Sequence, residues 1–193
     1  MKKQVLAGAL AASIAAVAIA GASLAYFTDT KEKDNTFTVG NVAIELTEPQ
    51  WDAVGEKEAE SMYAGEAVAK DPTVKNNGAN PAFVRVQVVF PEGVDMTYEA
   101  ENSYDANQCN EGWEYHDGYF YYTKPLEPGQ STTPVFSRVR LSADTKNGTG
   151  DELTIDVKAE AVQAQGARPS YENGVLKMTV PEIADWFETA FKA

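Results

Sequence analysis

ELTIDVKAEA, residues 152–161, alternates without a break. Leu153, Ile155, Val157, Ala159 and Ala161 fall on one face, and Thr154, Asp156, Lys158 and Glu160 on the other. A period of two over ten residues is a β-strand with one apolar and one wet face. The same period runs through residues 82–90, where Val84, Val86, Val88 and Phe90 oppose Phe83, Arg85, Gln87 and Val89, and through residues 42–46. Residues 67–69, 74–75, 119–123 and 135–141 are further strand candidates. Between them stand turn signals: Asn76-Asn77-Gly78, Pro91-Glu92-Gly93, Asp117-Gly118, Glu127-Pro128-Gly129 and Asn147-Gly148. Many short strands so punctuated predict an all-β fold, a β-sandwich or jelly roll. Residues 92–110 mix polar and aromatic side chains without a period and read as an irregular excursion from it.

The two ends differ from this middle. At the C-terminus Pro181 suits the first helical position. Ile183, Trp186, Phe187 and Phe191 follow at helical spacing, with Glu182, Asp185, Glu188 and Lys192 outside. This predicts a short amphipathic helix, docked on its own sandwich because its polar face is acidic rather than basic. At the N-terminus, Lys2 and Lys3 precede an uncharged run over residues 5–21, and Ser23-Leu24-Ala25 places small residues two apart. That is a secretion signal with its cut between Ala25 and Tyr26, and the run falls short of the ~20 residues of a spanning helix. The expected organisation is a signal peptide over 1–25, an N-terminal segment over 26–41, a sandwich over 42–166 and a C-terminal extension over 167–193. The processed protein is expected outside the cell, without a membrane anchor.

Charge narrows the partners. The chain of 193 residues carries 16 Lys and Arg against 29 Asp and Glu, a formal −13; removing residues 1–25 leaves 14 cations against 29 anions, a net −15. Such a surface repels nucleic acid and anionic lipid, and at low salt it repels copies of itself. Cys109 is the only cysteine, so an intramolecular disulfide is excluded, and it reads as a small buried hydrophobe.

Catalytic and metal readings find little purchase. A helical zinc peptidase site takes two histidines one turn apart and a glutamate, whereas this chain has one histidine, His116, in the stretch EGWEYHDGYFYY. Glu114, His116 and Asp117 could be assembled as ligands only against the alternation of a strand. Asp144, Asn147 and Asp151 surround a glycine turn and are weak candidates for calcium through oxygen ligands, without the acid spacing of an EF-hand loop. No Ser-His-Asp arrangement and no cofactor motif is readable. Trp113, Tyr115, Tyr119, Phe120, Tyr121 and Tyr122 could form a glycan platform in a monomeric surface module, although at strand spacing half of them face inward.

The opening of the mature chain, AYFTDT followed by NTFTVGNVAIELTEPQWD, resembles the TasA/camelysin family, whose signal peptides are of the SipW-dependent type. So do KDPTVKNNGANPAFVRVQV (residues 70–88), FYYTKPLEPGQSTTPVFSRV (120–139) and IDVKAEAVQAQG (155–166). Residues 92–110 and the tail after Gly166 do not map onto that pattern. The resemblance implies a secreted jelly-roll protein of Gram-positive bacteria found in biofilm-matrix fibres, and a SipW-type signal peptidase acting at Ala25. It further implies that the mature N-terminal segment completes a sheet of the next subunit. Camelysin has also been described as a metalloprotease.

The residues of that segment suit strand addition. Tyr26, Phe27, Phe37 and Val39 are apolar knobs, and Thr28, Thr30, Thr36 and Thr38 favour a half-buried strand. Lys31-Glu32-Lys33-Asp34-Asn35 is too charged for a core and reads as a hinge. The gain from one added strand and the cost of association are both on the order of ~10 kcal/mol. Contact between the bodies of neighbouring domains is therefore expected to contribute.

Overall fold

The computed structural model describes residues 41–145, 153–165, 170–172 and 175–192. The strands, in chain order, are β1 (Ile44–Thr47), β2 (Ala67–Ala69), β3 (Thr73–Asn76), β4 (Ala82–Val89), β5 (Met96–Glu99), β6 (Trp113–His116), β7 (Tyr119–Tyr122), β8 (Arg138–Leu141) and β9 (Asp156–Gln163), followed by a small hairpin of β10 (Ser170–Glu172) and β11 (Val175–Lys177). All pairings are antiparallel. One sheet has the order β6-β7-β4-β9, a second β2-β8-β5, and β1 pairs with β3. This is the all-β sandwich that the alternation predicts. The decisive stretch is a strand, shifted two to four residues toward the C-terminus and paired with β4 along all eight of its residues.

Between the layers Val84 and Val86 of β4, Phe120 and Tyr122 of β7 and Trp113 of β6 meet Val68, Val74, Tyr98, Phe136 and Val139. The aromatic rings pack edge-on where they can: Tyr98 and Phe120 lie 5.0 Å apart at 82°, the arrangement that the ring quadrupoles favour.

The outer face of the four-stranded sheet is not wet along its length, as alternation alone implies. Helix α2 (Val180–Lys192) lies on it, and Val180, Ile183 and Phe187 bury Phe83, Tyr121 and Val162. The helix begins with a capping box, in which the Thr179 amide and hydroxyl each donate to Glu182 at 2.8 Å. Those bonds hold the Glu182 carboxyl below its ordinary value. Beneath the helix sits Arg85, 5% exposed. Its guanidinium donates to Glu160 at 2.8 Å and to the Tyr121 hydroxyl at 3.3 Å, with the rings of Tyr119 and Phe187 at 4.0 and 4.6 Å. Burial works against that charge, but the bonds to Tyr121 and Glu160 more than compensate and raise its proton affinity.

The excursion expected over residues 92–110 is shorter than its composition implies. Residues 96–99 are strand β5, with Tyr98 in the core, and the irregular part begins at Ala100. Glu99 adds to the polar composition of this stretch, yet it is 1% exposed. Arg140 and Arg138, on the neighbouring strand β8, hold its carboxylate at 2.5 and 3.3 Å. A buried acid is tolerated when so paired.

A helical segment was not legible in the sequence. A π-turn over Trp51–Gly55 runs into α1 (Glu56–Ala59). Asp71 supplies its cap from a distance, accepting from the amides of Gln50 and Trp51 at 2.9 and 3.1 Å. Beside it Lys70 pairs with Glu48 at 2.9 Å and lies over the Trp51 ring.

Candidate functional site: two open sheet edges

The turn after β3 holds residues 41–43, the first described residues of the chain. Asn76 is fully buried, and its amide donates to the carbonyls of Asn80 and Leu126, both at 2.8 Å. Its side-chain oxygen accepts from the Gly78 amide at 2.8 Å. Residues 41–43 run across this turn, with Asn77 N–H donating to Ala43 at 2.8 Å and Ala79 N–H to Asn41 at 3.1 Å. A side chain at position 78 would strike the Asn41 carbonyl oxygen, so glycine is required there by close approach.

The hydrogen bonds also reveal which backbone groups face outward. Ala43 and Asn41 bond to the turn on the β3 side, so Val42, Ile44 and Leu46 point their N–H and C=O groups the other way. On the opposite layer, Ala82 exchanges both its bonds with Leu126, away from β9, and Ala164 donates to Pro81. The bonded pairs of β4 and β9 therefore include Phe83 with Val162 and Arg85 with Glu160. Val157, Ala159, Ala161 and Gln163 direct their backbone groups away from β4. Among the described residues no strand pairs with those edges of β1 and β9. The two strands are neighbours, and Ile44, Leu46, Val157, Ala159 and Ala161 pack at the margin of the same core.

The remaining sheet edges are blunted, the usual protection against uncontrolled pairing. On β2, Ala69 donates to Glu58 at 3.4 Å, and Gly55 presses on its carbonyl. On β5, Tyr98 C=O accepts from Asn107 at 2.8 Å as the irregular loop folds back. On β6, Trp113 donates to Asn110 and accepts from the Cys109 thiol at 3.0 Å. Burial pushes that thiol up, so Cys109 is a half-buried structural donor, near the expected role.

The other predicted residues fall as follows. Ala25, Tyr26, Phe27, Thr28, Thr36, Phe37, Thr38 and Val39 lie outside the described residues, as do the hinge residues 31–35. Asp144 is in a turn, its amide donating to the Ser142 hydroxyl at 3.2 Å, whereas Asn147 and Asp151 are outside the described residues. The glycan platform over residues 113–122 is corrected by burial. Trp113, Phe120 and Tyr122 belong to the inner core and Tyr121 to the core under α2; Tyr115, 54% exposed, is the one left open to solvent. His116 ends β6, with Nε2 at 3.3 Å from Asp117 Oδ2 in the adjoining turn.

The fold defines a class: an all-β sandwich in which, among the described residues, the outer edges of the neighbouring strands β1 and β9 have no partner strand. The family model described as camelysin metallo-endopeptidase matches residues 1–114, and the chain belongs to that family. The match ends inside β6. Comparison with curated proteins gives no match.

The family's description implies a metal, and among the described residues the side chains offer no set that fits one. The sequence has a single histidine. Among the described residues no three His, Cys, Asp or Glu side chains converge as ligands. Glu114 and His116 alternate with Tyr115 along one short strand, and Asp117 lies in the turn beyond. No reaction step follows from that set.

Proposed function

We propose that the chain is a secreted structural subunit of extracellular-matrix fibres, in which the segment over residues 26–39 of one processed copy adds a strand to the next. A SipW-type peptidase acting between Ala25 and Tyr26 generates the free segment. The observation that carries this reading is the open side of the sandwich. Among the described residues, two neighbouring edges, on β1 and β9, present successive backbone groups without a partner, while side-chain or loop bonds blunt the edges of β2, β5 and β6. An extended peptide gains a main-chain bond at each such group, and its alternate side chains reach the core margin. Family membership supports the same reading through the resemblance of residues 23–52 and 70–88.

The test is negative-stain microscopy of the purified chain from Tyr26, beside a chain lacking residues 26–39. The longer chain is expected to form filaments. The shorter one is expected to keep its circular dichroism and remain monomeric. Filaments of the shortened chain overturn the reading.

A further inference from the structure

Independently of the fibre reading, we propose that Asn76 and Glu45 guard the Asn77-Gly78 peptide against deamidation. Asparagine is chemically labile, most of all before glycine, which leaves the attacking nitrogen unhindered and the backbone free to turn. The reaction needs only water. The Gly78 nitrogen bonds to Asn77 Cγ, the Cγ–Nδ2 bond breaks, and Nδ2 leaves as ammonia with the proton given up by the Gly78 N–H. Water then opens the succinimide ring at either carbonyl, giving aspartate or isoaspartate.

Both partners of that ring closure are held. The Gly78 N–H donates to Asn76 Oδ1 at 2.8 Å, so its proton is not offered to a base in solution. Asn76 is itself buried, and its amide is pinned by the carbonyls of Asn80 and Leu126. The Asn77 side chain donates from Nδ2 to Glu45 Oε2 at 3.0 Å, which ties the electrophilic amide to strand β1. The backbone is fixed on each flank, Asn77 N–H donating to Ala43 and Ala79 N–H to Asn41. Closure must break the Gly78 and Glu45 bonds and turn a main chain anchored on both sides. When a few such bonds have to open first, a reaction is slowed about tenfold or more.

Packing creates the need for the guard. A side chain at position 78 would strike the Asn41 carbonyl oxygen, so the crossing of residues 41–43 imposes the very residue that makes Asn77 labile. The damage would also fall at a sensitive place. Either product puts a second carboxylate beside Glu45, and isoaspartate adds a carbon to the main chain where Ala43 and Asn41 are bonded. Asn76 thus has two roles: its amide nitrogen closes the turn, and its oxygen protects the neighbouring peptide.

The test is peptide mapping by mass spectrometry of the purified chain held at mildly alkaline pH, beside a synthetic peptide of residues 74–80. The gain of about 1 Da at Asn77 is scored over time, with circular dichroism confirming that each chain stays folded. The chain is expected to deamidate at Asn77 about tenfold or more slowly than the peptide. Asn76→Ala and Glu45→Ala are each expected to raise the rate severalfold. Arg85→Met, which weakens the fold away from this turn, is expected to leave it unchanged. A chain that reacts as fast as the peptide overturns the guard. So does an Arg85→Met chain that reacts as fast as Asn76→Ala, because folding alone would then be the protection. An unchanged rate in either guard variant overturns it as well. Glu45 is exposed, so Glu45→Ala decides the matter should Asn76→Ala fail to fold.

Discussion

Arg85 and Glu160 meet at 2.8 Å beneath helix α2, joining β4 to the edge strand β9 midway along their ladder on the face that the helix covers. The pair is nearly dry, with 7% and 14% of the side chains exposed. Two aromatic rings stack on the guanidinium. The charge is tolerated only because every neighbour on the sheet and on the helix contributes to it.

Removing the cation leaves Glu160 with only the solvent-exposed Lys158 as a partner in a poorly hydrated place. Arg85→Met is expected to lower unfolding free energy by about 3–5 kcal/mol, the cost of breaking a buried pair. The urea midpoint checks this, with Arg85→Lys, a poorer fit to the stacked site, expected to fall between.

The same pair sets an acid limit. Burial pushes the Glu160 carboxyl up, but hydrogen bonds from Lys158 and Arg85 outweigh it and hold the value below the ordinary 4.5. A depressed carboxyl contributes stability that is present above its unfolded value and lost as pH falls through its folded one. The contribution should therefore fade on acidification below pH 4.5. Thermal melts between pH 5 and pH 2 are expected to fall less steeply for Glu160→Gln, starting from a lower value at pH 5.

Asn76 and Gly78 test the root of the N-terminal segment. Asn76→Ala removes the donor to the Asn80 carbonyl, one of two donors to Leu126 and the acceptor of the Gly78 amide, and is expected to cost about 2 kcal/mol or more. Gly78→Ala displaces residues 41–43 and is expected to cost about 1–3 kcal/mol. It should also lower filament yield at temperatures where the domain remains folded, read by pelleting and circular dichroism on the same sample.

Charge opposes contact between copies, each of which would carry −15 after the proposed cut behind Ala25. Raising salt from 20 to 500 mM shortens the screening length from roughly 20 Å to about 4 Å. Filament growth, followed by light scattering, is expected to accelerate accordingly. Growth indifferent to salt would exclude electrostatic control.

The peptidase description of the family is open to a direct assay. Purified mature protein is expected to cleave casein no faster than buffer, with or without zinc. Cleavage lost both on chelation and in His116→Ala would establish a metal site around the one histidine.

The fold was legible where a strand carries its own signature. Residues 152–161 and 82–90 alternate, and the core residues of β4 and β9 follow from that period alone. What alternation cannot convey is what lies across the sheet. Glu99 reads as wet because its two arginines come some forty residues later, and Arg85 reads as wet because the helix that covers it comes a hundred residues later. The capping of residues 51–59 by Asp71 hides for the same reason. The candidate site is a special case: the apolar and threonine residues of the proposed donor are readable in the sequence, but a strand edge that lacks a partner among the described residues leaves no trace there. Trp186 showed as an apolar helix position; its bond to the Gln163 carbonyl required the coordinates.

Among the described residues, the place where residues 41–43 cross Gly78 is not the place where the edge of β9 has no partner. In the proposed assembly the contact would join unlike surfaces and carry no two-fold axis, so a filament would be polar. A short synthetic copy of the proposed donor would then cap one end and ignore the other.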